Sequence, residues 1–580
     1  MMVAANPQNA FDVAIIGGGP AGSTLGTLLR KYDPEKRVVI LEKERFPRDH
    51  IGESQLPAIA AVLQEMGVWE KIEAANFPVK IGATYTWGKT VEPWVFQFVP
   101  TDLVPADVPR PGKYEGWRVQ TAFQVDRAIY DKVLLDHTRT MGVDVREETA
   151  VSEIMLDGDR VTGLRLASGE VITAKHYVDA SGNAAILRRR MGVECDIPTA
   201  LKNVAFWDYW ECDDWAKESD VKATRVHIRS VPFGWLWFIR LSPTRTSIGL
   251  VCPGEYYKKS GKRPEQIYHE AVQAEKTIAA KVAKAKSRGK VEGTTDWSFV
   301  VTRTAGENWW LVGETAGFAD PILAAGLTIT HAGGRELAYT ILAADRGEHD
   351  VEWLKQRYHD LQTKRVRQHM KFAEYWYSAN GIFEDIRENC VKIAHEAGMK
   401  LDPAEAFRWL SQGGLNDDFQ GQAGIGGHDL ASMKQVMMRM SDGELPWTID
   451  NKTHFKLNLA GAKQGYIGIL NNGKITKARS YTRGKATLAE AGFQGLIIEA
   501  LKLSDEAPRI LDHMKRRLAP HYPGQHLVVA MQHAFQVLEA MTNDYWVLVE
   551  GRQGKPAIRV STPAEGAYIY SDAGKGHAAL

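Results

Sequence analysis

A glycine-rich loop between an apolar run and a helix constrains the fold of this chain more than any other feature. Residues 11–16 are apolar enough for a buried strand, and they lead directly into Gly17-x-Gly19-x-x-Gly22. In such a loop Gly17 permits a tight turn, Gly19 lets the backbone approach a pyrophosphate, and Gly22 lets the next helix pack on the strand. The helix over residues 23–32 offers free N–H groups to phosphates. The pattern predicts a dinucleotide-binding βαβ unit.

A second apolar run supports this prediction. Residues 37–41 end at Glu42, which lies twenty residues after Gly22. Dinucleotide-binding units place the carboxylate that binds a ribose at about this distance. Ala21, inside the loop, and Lys43, beside the acid, are assigned to the same site. The loop alone does not decide between FAD and NAD.

Composition excludes several classes of protein. A chain of 580 residues is expected to form two or three domains, and its net charge of +1 does not indicate a nucleic-acid partner. No apolar run approaches the roughly 20 residues of a membrane span, and the first residues lack a signal-peptide pattern. The 4 cysteines form no C-x-x-C pair. We therefore expect a cytoplasmic protein with no membrane partner, disulfide framework or metal site.

Residues 234–240, which read G-W-L-W-F-I-R, narrow the class further. Residues two apart share a face of a strand, so Trp235 and Trp237 are predicted to form one aromatic wall that Phe233 and Ile239 extend. Together with the nucleotide loop, this string resembles the W-x-W-x-I-P motif of the flavin-dependent halogenases, with Arg240 in place of the proline. In that family the motif obstructs direct access of the substrate to the flavin.

Four further segments resemble the same family in the same order: residues 48–54, 124–127, 178–182 and 311–321. The resemblance favours FAD over NAD. It implies an α/β fold, the two-domain FAD fold of the aromatic hydroxylases, with a nucleotide domain, a mixed β-sheet domain on the substrate side and a mostly helical C-terminal extension. It also implies that FAD is held by residues of these segments and of the loop that follows them, namely Arg48, Ser54, Arg127, Asp179, Glu314, Asp320 and Gly326.

The predicted domains follow from the order of these motifs. Residues 1–193 and 301–345 form the FAD-binding domain, and residues 194–300 form the substrate-side sheet domain. Residues 346–445 have a helical pattern whose aromatic residues, Tyr377 among them, we expect mainly in the core; glycines at 413–414 and 424–427 predict an irregular stretch. Residues 446–580 suggest a winged-helix-like module with a hairpin turn at 471–473, three helices and a final hairpin over 546–560.

Lys80 is the candidate catalytic amine. Residues 76–88 resemble the lysine segment of the phenol and carrier-tethered halogenases, with K-x-G-x-x-x-x-W-G in register. The resemblance implies that Lys80 receives the oxidised halogen. A lysine in a mostly apolar strand is partly desolvated, which lowers the pKa of its amine. The alternative is a solvated lysine at a strand edge, and the tryptophan motif favours the catalytic role.

The loop after Asp320 is the candidate halide site. By resemblance, the backbone N–H groups of Gly326 and Leu327 bind the halide. The tryptophan halogenases carry a glutamate three residues before the equivalent glycine, where this chain has Leu323. The difference argues for the branch that acts on phenols, pyrroles or carrier-tethered acyl groups, which includes the halogenase of chloramphenicol biosynthesis.

The resemblance implies an FADH2-dependent halogenase of secondary metabolism, such as antibiotic biosynthesis. Reduced flavin and O2 form a C4a-hydroperoxide, chloride or bromide attacks it, and Lys80 passes the halogen to an electron-rich aromatic small molecule or carrier-protein-tethered acyl group. Because no second nucleotide loop is visible for NAD(P)H, we expect a partner flavin reductase. The alternatives are a single-component FAD aromatic hydroxylase, and a flavoprotein reductase or inactive halogenase relative.

Overall fold

The computed structural model describes residues 10–88, 91–99, 104–105, 107–197, 201–218, 223–295, 298–396, 416–417, 422–425, 428–430, 434, 437–438, 445–484, 486–522 and 524–560. Its strands are β1 (Ala10–Ile16), β2 (Val38–Leu41), β3 (Val79–Thr86), β4 (Trp94–Gln97), β5 (Ala122–Phe123), β6 (Asp144–Arg146), β7 (Val151–Asp157), β8 (Arg160–Leu166), β9 (Val171–Asp179), β10 (Cys195–Asp196), β11 (Asn203–Glu211), β12 (Ala223–Val231), β13 (Gly234–Arg240), β14 (Arg245–Pro253), β15 (Lys286–Ser287), β16 (Glu292–Thr295), β17 (Phe299–Val301), β18 (Trp309–Leu311), β19 (Gly317–Phe318), β20 (Asn416–Asp417), β21 (Gln422–Ile425), β22 (His428–Asp429), β23 (His454–Leu457), β24 (Lys463–Asn471), β25 (Lys474–Arg483), β26 (Ala486–Ala489) and β27 (Val547–Glu550). Its helices are α1 (Pro20–Tyr32), α2 (Ala58–Met66), α3 (Trp69–Ala74), α4 (Arg127–Thr140), α5 (Ile186–Arg190), α6 (Gly254–Ser260), α7 (Pro264–Ala274), α8 (Lys276–Val282), α9 (Gly326–Asp345), α10 (Val351–Ser378), α11 (Arg387–Glu396), α12 (Gly492–Leu503), α13 (Ala507–Leu518) and α14 (Gln525–Asn543).

A seven-stranded sheet carries the nucleotide loop. Its order is β6-β2-β1-β9-β8-β7, and β18 also pairs with β9. β1 runs parallel to β2 and β9, and Ile16 lies opposite both Leu41 and Asp179. The carboxyl ends of these parallel strands therefore meet at the glycine loop, the position at which α/β sheets bind nucleotides. Helix α1 packs against α4 and α9 beside this sheet.

A nine-stranded sheet forms the substrate side, in the order β15-β11-β14-β13-β12-β3-β4, with β16 on β11 and β5 on β3. The predicted boundaries assign residues 79–97 to the FAD-binding domain, whereas β3 pairs in parallel with β12 and β4 extends the same sheet. Burial explains why β3 joins this sheet. All 8 residues of β3 are buried, so the strand needs a paired strand along each of its edges. Lys80 is thereby carried by the substrate-side sheet.

Helix α10 connects the FAD-binding part of the chain to the substrate side. It is 28 residues long, and the Tyr358 hydroxyl donates to the carbonyl of Leu311, 2.7 Å away. Leu311 begins residues 311–321, which resemble a flavin-contacting segment of the halogenase family and are called the late flavin loop below. The last turn of α10 carries Tyr377, which lies among the tryptophans of the substrate-side sheet. The predicted irregular glycines at 413–414 lie outside the described residues, and 424–425 belong to β21.

The C-terminal part contains the predicted hairpin turn and three helices. Asn472 and Gly473 both have positive φ, 45° and 76°, as a tight two-residue hairpin loop requires. The predicted final hairpin is wrong, because β27 pairs with β23 instead. Phe455 and Val547 are both buried on this pair, whereas Gly551 and Gly554 interrupt the sequence after β27. Among the described helices, none is both long and apolar enough to cross a membrane.

The Glu539 carboxylate connects several segments of the C-terminal core by hydrogen bonds, and its removal tests how much these bonds stabilise the core. Its fully buried carboxylate accepts from the Lys434 amine at 2.6 Å and from the backbone N–H groups of Thr448 and Ile449 at 2.9 and 3.0 Å. We expect Glu539→Ala to lower the free energy of unfolding by about 3–5 kcal/mol, because it removes the carboxylate that neutralises the buried Lys434 amine and that accepts from two backbone N–H groups. Denaturant unfolding measures this. Glu499→Ala, at a half-exposed ion pair, is the control and should change stability by less than about 1 kcal/mol.

Candidate active site

A cavity of about 500 Å³ lies where the glycine loop, the substrate-side sheet and the start of α9 meet. It brings together most of the site residues that were predicted from the sequence. The nominated residues that line it are Gly17, Gly19, Ala21, Glu42, Lys43, Arg48, Ser54, Lys80, Arg127, Trp235, Trp237, Glu314, Gly326 and Leu327. Three more, Gly22, Asp179 and Asp320, lie behind this lining. The arrangement is a single chamber that reaches from a nucleotide loop to a buried amine.

The glycine loop fits a dinucleotide by shape. Gly17 has φ +105°, and a Cβ there would lie 2.5 Å from the carbonyl oxygen of Ala180. A Cβ on Gly22 would lie 2.1 Å from the carbonyl oxygen of Gly17, so this residue is fixed by the contact between helix and strand. At Gly19 the nearest heavy atom to an added Cβ is 3.6 Å away, so a methyl group there would occupy only cavity space.

Charged side chains shape the loops around the nucleotide end. The Glu42 carboxylate accepts from the backbone N–H of Gly18 at 2.8 Å and ties β2 to the glycine loop. Arg127 donates two hydrogen bonds to Asp131, at 2.7 and 2.9 Å, and a third to the carbonyl of Ile51 at 2.7 Å. Arg48 makes an ion pair with Asp131 at 3.3 Å. These residues therefore fix the loop over residues 48–54 against α4. Lys43 differs from them, because its side chain is largely exposed at the rim of the cavity.

Two nominated carboxylates hold the backbone of the site. Asp179 accepts from the N–H groups of Leu187 and Arg188 at 2.9 and 3.0 Å, which positions the start of α5. Asp320 accepts from the N–H of Ile322 at 2.9 Å, and burial raises the pKa of its carboxyl group to about 7. Glu314 differs from both, because it lines the cavity, and burial raises its pKa. The assignment of Asp179 and Asp320 to direct FAD contacts stays a prediction.

Lys80 lies inside the chamber. Its side chain is 1% exposed, and its amine donates to the carbonyl of Gln55 at 2.7 Å and lies 5.3 Å from the centroid of the Phe98 ring. Burial lowers the pKa of the amine to about 7. At neutral pH the amine can therefore be present in both protonation states, as a proton donor or a nucleophile.

The two tryptophans of the motif lie side by side on β13 and line the cavity. Their ring centroids are 6.1 Å apart at an angle of 56°. Ile239 extends the same lining, as the sequence pattern predicts. Phe233 instead stacks on Tyr256 with ring centroids 5.1 Å apart. Trp235 and Trp237 are called the indole wall below.

Arg240, which stands where the motif has proline, is buried beside the sheet. It forms an ion pair with Glu218 at 2.6 Å and donates to the carbonyl of Trp215 at 3.0 Å. Its charge is therefore neutralised by a structural ion pair at the end of β13.

Glu53 is a residue of the chamber to which the sequence analysis assigned no role. It lines the cavity and is 2% exposed, and its Oε2 has no hydrogen-bond partner among the described residues. Burial raises the pKa of its carboxyl group to about 7, while the neighbouring Ser247 and Tyr209 hydroxyls oppose the rise. The signal available in the sequence was an acid between apolar residues Ile51 and Leu56.

The opposite end of the chamber is the start of α9. Ala324 has φ +54°, and α9 begins at Gly326 with no side-chain cap. The first N–H groups of a helix have no partner within the helix, so Gly326 and Leu327 offer donors to an anion. Thr328 adds a buried hydroxyl that has no partner among the described residues. Leu323 lines the chamber nearby as an apolar residue.

Comparisons with known proteins agree with this geometry. The FAD binding domain family matches residues 10–373. The 1H-pyrrole-2-carbonyl-[peptidyl-carrier protein] chlorinase of Pseudomonas fluorescens is 31% identical over 64% of this chain and 85% of its own length. The tryptophan 2-halogenase of Chondromyces crocatus is 30% identical over 67% of this chain and 72% of its own.

Solved structures agree in fold. The crystal structure of CmlS, a flavin-dependent halogenase, covers 96% of this chain and 99% of its own, with a TM-score of 0.68 and 23% identity. The myxobacterial chondrochloren halogenase CndH covers 67% of this chain and 90% of its own, with a TM-score of 0.57 and 28% identity. This chain belongs to the flavin-dependent halogenases, which are oxidoreductases, and its cofactor is FAD.

Substitutions at two glycines of the loop are expected to have different effects, one on folding and the other on cofactor binding. We expect Gly22→Ala to lower the free energy of unfolding by about 1–3 kcal/mol, because its methyl group would overlap backbone. Gly19→Ala should fold normally, since Gly19 has φ −67° and free space, but it should weaken FAD binding because the methyl group enters the cradle. Thermal unfolding and titration with FAD measure the two effects. Equal FAD affinity in Gly19→Ala and the unmodified protein would contradict the assignment.

The buried amine makes stability depend on pH. Unfolded lysine keeps its proton up to about pH 10.5, whereas burial lowers the pKa of Lys80 to about 7. Between these values the unfolded state binds more protons, so stability rises with pH. Relative to Lys80→Met, the unmodified protein should gain about 1.4 kcal/mol per pH unit above about pH 7. Denaturant unfolding of both proteins at several pH values tests this, and parallel pH profiles would show that the amine is solvated.

Proposed function

We propose that this protein halogenates an electron-rich aromatic substrate by passing an oxidised halogen through Lys80. The observation that carries the proposal is the placement of one desolvated amine, the indole wall and the start of α9 around the same chamber. Bound FAD, once reduced, supplies with O2 the two-electron oxidation of halide to hypohalous acid. The protein then has to bind the halide, confine the oxidant and direct it to the substrate.

Halide binding is assigned to the backbone donors of Gly326 and Leu327. These N–H groups begin the 20-residue helix α9 and face a cavity that the glycine loop also lines. A halide accepts hydrogen bonds and is attracted by the positive end of the helix dipole. Chloride and bromide both suit such donors.

FAD is assigned to the nucleotide end of the chamber. The glycine loop would hold the pyrophosphate, and Glu42 would bind the ribose with the lone pairs that its bonds from the N–H groups of Gly18 and Glu44 leave free. Arg48 and Ser54 lie on the loop that Arg127 fixes, and they would close this end over the cofactor. Glu314 would face the cofactor from the late flavin loop.

Lys80 is assigned to the transfer step. Among the described residues the amine has one acceptor, the carbonyl of Gln55, which leaves N–H groups or a lone pair for hypohalous acid. Its protonated form can donate to the departing oxygen, which then leaves as water while the halogen bonds to carbon. The neutral amine that remains can take up the proton that the ring carbon then loses. The indole wall, packed densely on β13, would keep the substrate from direct contact with the flavin.

The substrate and the reducing partner complete the proposal. The chamber wall is aromatic and apolar at Tyr85, Phe96 and Phe98, which suits a flat ring. Leu323 places no carboxylate beside the halide end, so we propose a phenol or pyrrole that needs little help in losing its proton. The substrate is either a free small molecule or an acyl group tethered to a carrier protein. Because the chain has a single G-x-G-x-x-G loop, a separate flavin reductase would supply reduced FAD.

The test supplies reduced FAD, O2 and bromide or chloride with a panel of phenols, pyrroles and indoles, free and carrier-tethered. We expect halide-dependent mass shifts that Lys80→Met reduces by at least about a hundredfold, as for loss of a group that acts in proton transfer. FAD binding should be unchanged. Lys258→Met, at an exposed lysine on α6, is the control and should retain the product.

Other outcomes discriminate the alternatives. Products that carry only added oxygen, formed with direct consumption of NADPH, would identify a single-component hydroxylase. Full halogenation by Lys80→Met would exclude the amine from the transfer.

A further inference from the structure

We propose that Tyr377 and Ser247 are positioning residues that set the orientation of the indole wall, each by accepting a hydrogen bond from one indole N–H. The proposal deepens the proposed function, on which it rests, because it names the contacts that aim the wall. Neither residue lies in the motif or in the lining of the chamber.

The first link starts at Trp235. Its Nε1 donates to the Tyr377 hydroxyl at 2.7 Å, and that hydroxyl donates to Asp320 at 3.3 Å. Asp320 is itself held by the side-chain amide of Asn203 at 3.1 Å. The indole of β13 is thereby tied to the last turn of α10 and to the loop that precedes α9.

The second link starts at Trp237. Its Nε1 donates to the Ser247 hydroxyl at 3.1 Å. The second indole is thereby tied to β14, the neighbouring strand of the sheet. The Ser247 and Tyr209 hydroxyls both lie near the buried carboxyl group of Glu53 and lower its pKa.

In both links a buried indole N–H donates to a hydroxyl group. A buried indole N–H is a donor that needs an acceptor, and a hydroxyl can accept from it while donating onward. If the ring turns over about its side-chain torsions, the N–H loses this acceptor inside an apolar core. One ring orientation is therefore preferred, and with it the shape of the surface that faces the chamber.

A glycine opposite Trp237 independently indicates that the ring orientation is built in. Gly249 faces Trp237 across the β13–β14 pair, and a Cβ on Gly249 would lie 2.1 Å from Cζ2 of the indole. Ser247 lies two residues earlier on the same face of β14, so one residue accepts the N–H and the other makes room for the ring.

The experiment uses the FAD-loaded protein with four substitutions. Tyr377→Phe and Ser247→Ala each remove one hydroxyl, and Ser247→Thr restores it. Tyr375→Phe is the matched control, because Tyr375 is buried on the same helix and has no hydrogen bond to either indole among the described contacts. Ultraviolet resonance Raman spectra report hydrogen bonding of indole N–H groups, and the ratio of halogenated product to released hydrogen peroxide reports the guidance of the oxidant.

We expect Tyr377→Phe and Ser247→Ala to shift the indole N–H band of one tryptophan towards the unbonded position. We expect the product-to-peroxide ratio to fall about tenfold, the equivalent of one buried hydrogen bond. Ser247→Thr and Tyr375→Phe should keep both values. The ratio is measured with bromide and the panel member that reacts best. If no panel member is halogenated, the proposed function fails, and the Raman band still decides this proposal.

An unchanged band in Tyr377→Phe and Ser247→Ala would overturn the proposal, as would an equal effect of Tyr375→Phe. If a hydroxyl variant does not bind FAD, Gly249→Ala takes its place, because it keeps every donor and acceptor and only displaces the ring. A lower product-to-peroxide ratio in Gly249→Ala with normal FAD binding supports the proposal, and an unchanged ratio contradicts it.

Discussion

The proposed halogen transfer depends on the desolvation of one amine, that of Lys80. Lys80 lies on a strand whose residues are all buried, and within the described part of the chain its amine has a single acceptor, the carbonyl of Gln55. Burial without an ion pair holds its pKa near neutrality, which is what allows a lysine to exchange protons at the pH of a cell. The parallel pairing of β3 with β12 produces this placement, since it moves the lysine segment out of the nucleotide-binding part and into the substrate-side sheet.

The sequence predicted the elements that depend on local geometry. The glycine loop, the strand on either side of it and Glu42 are fixed by short-range spacing, and the structure brings them together at one edge of the sheet. The hairpin turn at Asn472-Gly473 is equally local, because both residues need positive φ. The family assignment, which the comparisons confirm, came from motifs of this kind.

Long-range pairings could not be predicted in the same way. Nothing in residues 79–97 shows that they join strands more than a hundred residues later, and nothing near Val547 shows that it pairs with the strand at His454. For the same reason the partners of the indole wall were missed. Tyr377 reads as one aromatic residue among several on a helix, and Ser247 and Gly249 are ordinary strand residues until β14 lies beside β13.

Helix α10 gives the fold a mechanical property. It is about 40 Å long, with Tyr358 bonded to the strand that leads into the late flavin loop and Tyr377 bonded to an indole on the far side. A helix resists bending over such a span, so these two hydrogen bonds hold the nucleotide-side strand β18 and the indole of Trp235 at a set separation.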